Sequence, residues 1–179
     1  MFTVEYNSKK GNFSGIINNL MINNGDVSSV LTTKASSTGN VNSSCILKPD
    51  ICPYSFAMNG PDKQWIQVNF MKGLIHTTSY SLKSSINPVN HSYHLLGWDL
   101  MGSLNGRQWN ILDSRKNTNE INGYRYECNF TPMKYAIYRY FHLMQTQKRD
   151  ESVTDIRILE IKRRRRNRIL FNAALFAMK

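Results

Sequence analysis

The stretch 93–114, YHLLGWDLMGSLNGRQWNILDS, constrains the fold more than any other part of the chain. Leu96, Trp98, Leu100 and Gly102 recur at period two, the spacing at which a strand turns alternate residues to one face. Asn105-Gly106 follows at once. Asn-Gly readily adopts the left-handed dihedral angles that the tightest hairpin turns require, so RQWNILDS is predicted to be the return strand. A hairpin with one apolar face is not stable alone and needs further layers against it.

The rest of the chain offers them. VSSVLTTKASS (27–37), His76–Ser85 with Tyr80 and Leu82 on one face, YECNF (126–130), YAIYRYFHLMQ (135–145) and IRILEIK (156–162) read as short strands. Asn, Ser, Gly and Pro punctuate the connections between them. This spacing predicts an all-β fold, an antiparallel jelly-roll β-sandwich with Greek-key connections. Helical patterning is confined to a short N-terminal helix in SGIINNLMINN (14–24) and a basic C-terminal tail from about Lys162. The loop YSFAMNGPDK (54–63) is expected to fold back over the core as a lid.

A length of 179 residues, with 41% apolar and 20% charged side chains, suits one domain with a core of its own. The opening MFTVEYNSKKGNF lacks the apolar centre of a signal peptide, and no run nears the roughly 20 apolar residues of a membrane span. The three cysteines, Cys45, Cys52 and Cys128, form no CxxC pair and suit reduced thiols. These features predict a cytoplasmic location, with a cytoskeletal or ciliary/flagellar one as its refinement.

Four segments, QWIQVNF, TSYSLKSS, HLLGWDLMGSLNGRQWNILDSR and YRYFHLMQT, resemble in order and spacing the discoidin family, the coagulation-factor type C domains with a galactose-binding-like jelly roll. The resemblance runs over roughly residues 14–162. The opening GIINNL is similar to the intracellular version of the family. The resemblance implies the jelly-roll fold, with sugar or phospholipid binding by loops at one end of the sandwich. It also has departures. Asn69 stands where the family pattern has an acid, His142 where it has a second arginine, and the paired terminal cysteines are missing. The polar loop 36–44, SSTGNVNSS, lacks the exposed apolar spikes of lipid-binding members, and Thr38, Asn40 and Asn42 are its candidate ligand residues.

No motif for nucleophilic, phosphoryl-transfer, dinucleotide or zinc chemistry is present, so no enzyme activity, cofactor, metal or small-molecule substrate is expected. His76, His91, His94 and His142 lack metal-binding spacing. Trp65, Trp98 and Trp109 are expected in the core, and Arg139 is expected to be semi-buried with a carboxylate partner.

The charge is concentrated at the C-terminus. The net charge is +11, and residues from Lys148 onward hold 10 basic and 4 acidic side chains. The sequence divides into a sandwich over 1–162 and a basic amphipathic tail over 163–179. As a helix, the tail gathers Leu170, Phe171, Ala174, Leu175 and Met178 on one face. Lys162, Arg163, Arg164, Arg165, Arg166 and Arg168 offer charge for an acidic surface, while Phe171, Leu175 and Phe176 offer apolar anchors. The sequence alone therefore favours a non-catalytic structural or adaptor protein held on an acidic polymer, a microtubule or ciliary/flagellar assembly. Glycan or phospholipid binding through the sandwich-end loops is the alternative. Nucleic acid and an anionic membrane are further partners that the arginine tract suits.

Overall fold

A computed structural model describes residues 15–24, 27–37, 42–47, 56–59, 63–83, 95–121, 127–147, 153–156 and 158–162. Among these, α1 (Ile16–Asn24) precedes β1 (Leu31–Ala35), a 3-10 turn (Ser43–Leu47), β2 (Phe56–Asn59), β3 (Trp65–Phe70), β4 (Ile75–Thr77) and β5 (Ser79–Lys83). Then come β6 (Gly97–Ser103), β7 (Asn110–Arg115), β8 (Glu127–Phe130), β9 (Ala136–Tyr138), β10 (Tyr140–Gln147), β11 (Val153–Ile156) and β12 (Ile158–Lys162). This is the discoidin-like jelly-roll sandwich. Its large sheet has the order β1-β3-β10-β6-β7, its small sheet β12-β5-β8, and two ribbons, β11-β2 and β4-β9, complete it. All pairings are antiparallel.

Alternation decides what is buried. Along β3, Ile66, Val68 and Phe70 point inward, while Trp65, Gln67 and Asn69 stay half-buried on the other face. Phe141 and Leu143 of β10 and Trp98 and Leu100 of β6 join them, against Tyr80, Leu82, Phe130 and Ile161 of the small sheet. Burying one such side chain is worth about 1.5–3 kcal/mol, so this layer supplies most of the stability.

One polar group is set into that core. Trp98 Nε1 donates to the Tyr80 hydroxyl over 2.9 Å, and the hydroxyl donates to Asp113 Oδ2 over 2.7 Å. Arg115 Nε donates to the same oxygen over 2.9 Å, and the guanidinium lies over the Phe130 ring. Burial first, then Asp113, push the Tyr80 hydroxyl above the usual phenol range, so it stays a donor. Both donors converge on Oδ2 of a carboxylate 1% exposed, whereas its Oδ1 is buried without a hydrogen-bond partner.

Register separates the two ends of the sandwich. Leu31 pairs with Phe70, Tyr140 with Asn69 and Ser103, and Gly102 with Asn110. The β6–β7 hairpin therefore closes the same end as the turn after β3; this is the hairpin end. The opposite end gathers Ser36, Gln64, Gly97, Arg115 and Gln147, and the residues beyond them; this is the loop end. At the hairpin, Asn105 Oδ1 accepts from the backbone N–H groups of Arg107 and Gln108, and Gly106 takes the left-handed φ of 72°.

Three expectations change. The segment 54–63 contributes a strand, β2, paired with β11, rather than a lid. Cys45 is disulfide-bonded, which corrects the expectation of reduced thiols; Cys128 is free, and Cys52 lies outside the described residues. A disulfide needs Cα atoms within about 4.4–6.8 Å, a condition on how a chain doubles back that sequence spacing does not report. Arg139 has its Nε buried with no hydrogen-bond partner, and no carboxylate among the described residues pairs with it. The carboxylate-paired arginine among the described residues is Arg115 instead. Asn69 Oδ1 is likewise buried without a partner, while its Nδ2 donates to Thr32 Oγ1 over 3.4 Å.

Candidate functional site

The loop end is organised by the last residues of β10. Gln145 N–H donates to the Gln64 carbonyl over 2.8 Å, and Gln147 Oε1 accepts from the Asn117 N–H over 2.7 Å. The connection before β3 and the one after β7 are thereby held on either side of one strand end. Gly97 leaves the room this needs, because a Cβ there would lie 2.6 Å from Gln147 Oε1 and 2.9 Å from the Arg115 carbonyl.

Gln64, 5% exposed, carries the next layer. Its Oε1 accepts from Ser36 Oγ over 2.7 Å and from Ser37 Oγ over 2.9 Å, and the Ser36 hydroxyl accepts from the Trp65 N–H. A buried amide oxygen with two donors fixes the start of the 36–44 loop against β3. On the other side, Thr118 N–H donates to the Leu96 carbonyl, and the Thr118 hydroxyl donates to Glu120 Oε2 over 2.8 Å.

Backbone strain falls at this end. Lys63 (φ 53°) and Asn117 (φ 50°) are the non-glycine residues with left-handed backbone among those described. Asn takes this conformation at little cost, but a lysine does so at a cost of order 1 kcal/mol. Both side chains are exposed, flanking the Gln64–Gln145–Gln147 frame. Lys116 and Asn119 are exposed beside Asn117, so the loop end presents amides, hydroxyls and ammonium groups. Such groups suit a ligand rich in hydroxyls: an amide both donates and accepts, and an ammonium donates three hydrogen bonds.

Of the residues marked by sequence, Asn42 is exposed, its Oδ1 accepting from the Ser44 N–H over 2.9 Å to start the 3-10 turn. Thr38, Asn40, His91 and His94 lie outside the described residues, as do Arg163, Arg164, Arg165, Arg166, Arg168, Phe171, Leu175 and Phe176. Lys162 ends β12 opposite Ser79. Sequence reasoning missed Lys63, Gln64, Asn117 and Gln147. Only Gly97, a glycine inside a strand pattern, signalled a close approach there.

The tryptophans divide. Trp98 is in the core as expected, whereas Trp65 and Trp109 are half-buried on the outer face of the large sheet, with the His142 ring between them. Ring centroids are 4.7 Å from His142 to Trp65 and 4.8 Å to Trp109. Burial pushes the imidazole down to about 4, so it sits neutral at physiological pH. Burial and, second, the Glu120 charge hold the Cys128 thiol above its usual range, the opposite of a reactive cysteine. Among the described residues, no three His, Cys, Asp or Glu side chains group as metal ligands, and no helix is long and apolar enough to cross a membrane.

No family model and no curated protein matches the chain. Solved structures do. The family 32 carbohydrate-binding module of C. perfringens NanJ, in complex with galactose, aligns at 11% identity over 74% of this chain and 93% of that one, with a TM-score of 0.58. The lectin domain of Lectinolysin, complexed with Lewis B antigen, aligns at 14% identity over 74% and 92%, with a TM-score of 0.59. The chitosan-binding module 1 of a chitosanase/glucanase from Paenibacillus sp. IK-5 aligns at 15% identity over 74% and 94%, with a TM-score of 0.58.

Proposed function

We propose that the chain is a non-catalytic glycan-binding module whose loop end takes a sugar. The observation that carries this is the pair of left-handed residues, Lys63 and Asn117, held with exposed side chains on either side of a buried hydrogen-bonded frame. Strain retained at one end of a sandwich points to a constraint other than packing. The similar structures support the reading, since two of them are complexes with galactose and with Lewis B antigen. Lys63 and Lys116 make a carboxylate-bearing sugar the better fit, because an ammonium forms charge-assisted hydrogen bonds to it. The disulfide-bonded Cys45 favours an oxidising compartment, where glycans are displayed, over the cytoplasm.

Docking to a microtubule or another acidic polymer rests on residues 163–179, outside the described residues, and no comparison points to a tubulin-like partner.

Calorimetry with galactose and glucuronic acid tests the proposal on the full chain and on Lys63→Gly and Asn117→Gly. Glycine keeps the left-handed backbone while removing the side chain. Each variant is expected to weaken binding about tenfold, roughly one lost hydrogen bond to the ligand, at an unchanged melting temperature. Binding that ignores both substitutions, or no binding to either sugar, contradicts the assignment.

A further inference from the structure

The triplet Asn-x-Ser/Thr, with x other than proline, is the acceptor pattern for N-linked glycans. The chain carries it at Asn12, Asn42, Asn90 and Asn129. Asparagine is frequent throughout the chain, so the triplet alone decides nothing and the fold has to select among the four. Asn12 and Asn90 lie outside the described residues. Asn129 is in β8 opposite Ser81 of β5, and its Oδ1 accepts from the Ser81 hydroxyl over 3.1 Å, so its side-chain amide is tied to the neighbouring strand.

Asn42 is placed differently. It is exposed, immediately before the 3-10 turn. Its Oδ1 accepts from the Ser44 N–H over 2.9 Å, and its backbone carbonyl accepts from the Cys45 N–H over 3.0 Å. The side-chain oxygen is thereby turned back onto the chain, which leaves the amide nitrogen of the same planar group, Nδ2, on the outer side. Ser43 Oγ lies 2.8 Å from Thr33 Oγ1, which fixes the triplet against the flank of β1. Buried Ile46 and Leu47 anchor the far end of the turn. The acceptor amide is presented by a held turn.

A second observation comes from redox chemistry. Cys45, three positions after Asn42, is disulfide-bonded. Disulfides persist in the oxidising compartments through which secreted chains pass, and N-linked glycans belong to the same route. Acceptor geometry and oxidation state are separate properties of this segment, and both point the same way.

We infer that Asn42 carries an N-linked glycan. The transfer joins Asn42 Nδ2 to the anomeric carbon of an oligosaccharide supplied as its polyprenyl diphosphate. The carbon–oxygen bond to the diphosphate breaks, the polyprenyl diphosphate leaves with the electron pair, and the amide nitrogen loses one proton to a base of the transferring enzyme. The Ser44 hydroxyl completes the acceptor triplet. β1 is the terminal strand of the large sheet, so a bulky solvated glycan at its flank would also screen an open strand edge, a feature that invites pairing with other chains. Asn42 then serves as an attachment point and not as a ligand residue of the 36–44 loop. Attachment at Asn42 does not depend on sugar binding at Lys63 and Asn117.

Mass spectrometry of the full chain, purified from the cells that make it, tests this before and after peptide N-glycosidase treatment in heavy-oxygen water. The treatment is expected to lower the intact mass and to convert Asn42 to aspartate labelled with heavy oxygen. Two variants made in the same cells separate the roles. Asn42→Gln is expected to match the enzyme-treated chain in size. Ser44→Ala keeps the backbone N–H that holds Oδ1 and removes only the hydroxyl, and it is expected to lose the modification at Asn42. The readout is a mass, so it stands even if a variant loses stability. Three results overturn the inference: an intact mass that the treatment leaves unchanged; label confined to Asn12, Asn90 or Asn129; and modification of Asn42 that Ser44→Ala retains.

Discussion

The two ends of this sandwich share a sheet and differ in almost everything else. At the loop end, polar side chains turn inward to bond one another, and amides and lysines face out: Gln64 is buried under Ser36 and Ser37, and Lys63 and Asn117 are exposed. At the hairpin end, no such polar frame is needed, since the Asn105-Gly106 turn is self-sufficient, and large apolar residues face out. Both ends hang on the same strands, so packing does not require this contrast. The groups gathered at the loop end are those a hydroxyl-rich ligand would use, as the proposed function has it.

The strongest test of that independence removes what the ends have in common. Asp113→Ala leaves Tyr80 and Arg115 without their shared acceptor and is expected to cost about 3–5 kcal/mol, lowering the denaturation midpoint and weakening sugar binding with it. An unchanged midpoint would mean that the network does not support the core.

Gly102→Ala is expected to act on the hairpin end. Its Cβ would press on the Tyr138 ring, costing about 1–3 kcal/mol and displacing β9, with the denaturation midpoint falling while sugar binding persists. The mirror experiment is Gln64→Ala, which leaves Ser36 and Ser37 without their acceptor. It is expected to cost about 1–2 kcal/mol and to weaken sugar binding by loosening Ser36 and Ser37 from the start of β3. Equal losses of sugar binding from both variants would erase the distinction between the ends.

The effect that is smallest at neutral pH concerns the sheet face that joins them. His142 titrates near 4 when folded against 6.5 when unfolded, so the unfolded chain takes up its proton first. Stability from this site is complete above pH 6.5 and falls as the pH drops through 6.5 toward 4. His142→Gln is expected to flatten that part of the acid limb in thermal melts, at a small cost in neutral stability from the lost Trp65 and Trp109 contacts.

The fold was readable because its signals are local. Period-two alternation in 93–104, the Asn-Gly turn and the buried positions of β3 each follow from a few neighbouring residues. What was not readable depends on partners distant in sequence. Gln64 meets Ser36 across 28 positions and Asn117 meets Gln147 across 30, and neither residue stands out in its own stretch. Trp65 and Trp109 were expected in the core because they fall on the core tryptophan positions of the family the chain resembles. Alternation along β3 turns Trp65 away from the side of the buried Ile66 and onto the face of Gln67, whose partner across the sheet is His142. The arginine tract drew the functional expectation toward an acidic polymer, because charge is conspicuous in sequence and an assembled loop end is not.

Amide NMR spectra of the full chain, titrated with galactose and with glucuronic acid, test the central claim most directly. The account predicts shifts at Ser36, Ser37, Lys63, Gln64 and Asn117 to Asn119, larger with glucuronic acid, and none at Leu104 to Arg107. Shifts confined to the hairpin end, or an unchanged spectrum at saturating sugar, would contradict it.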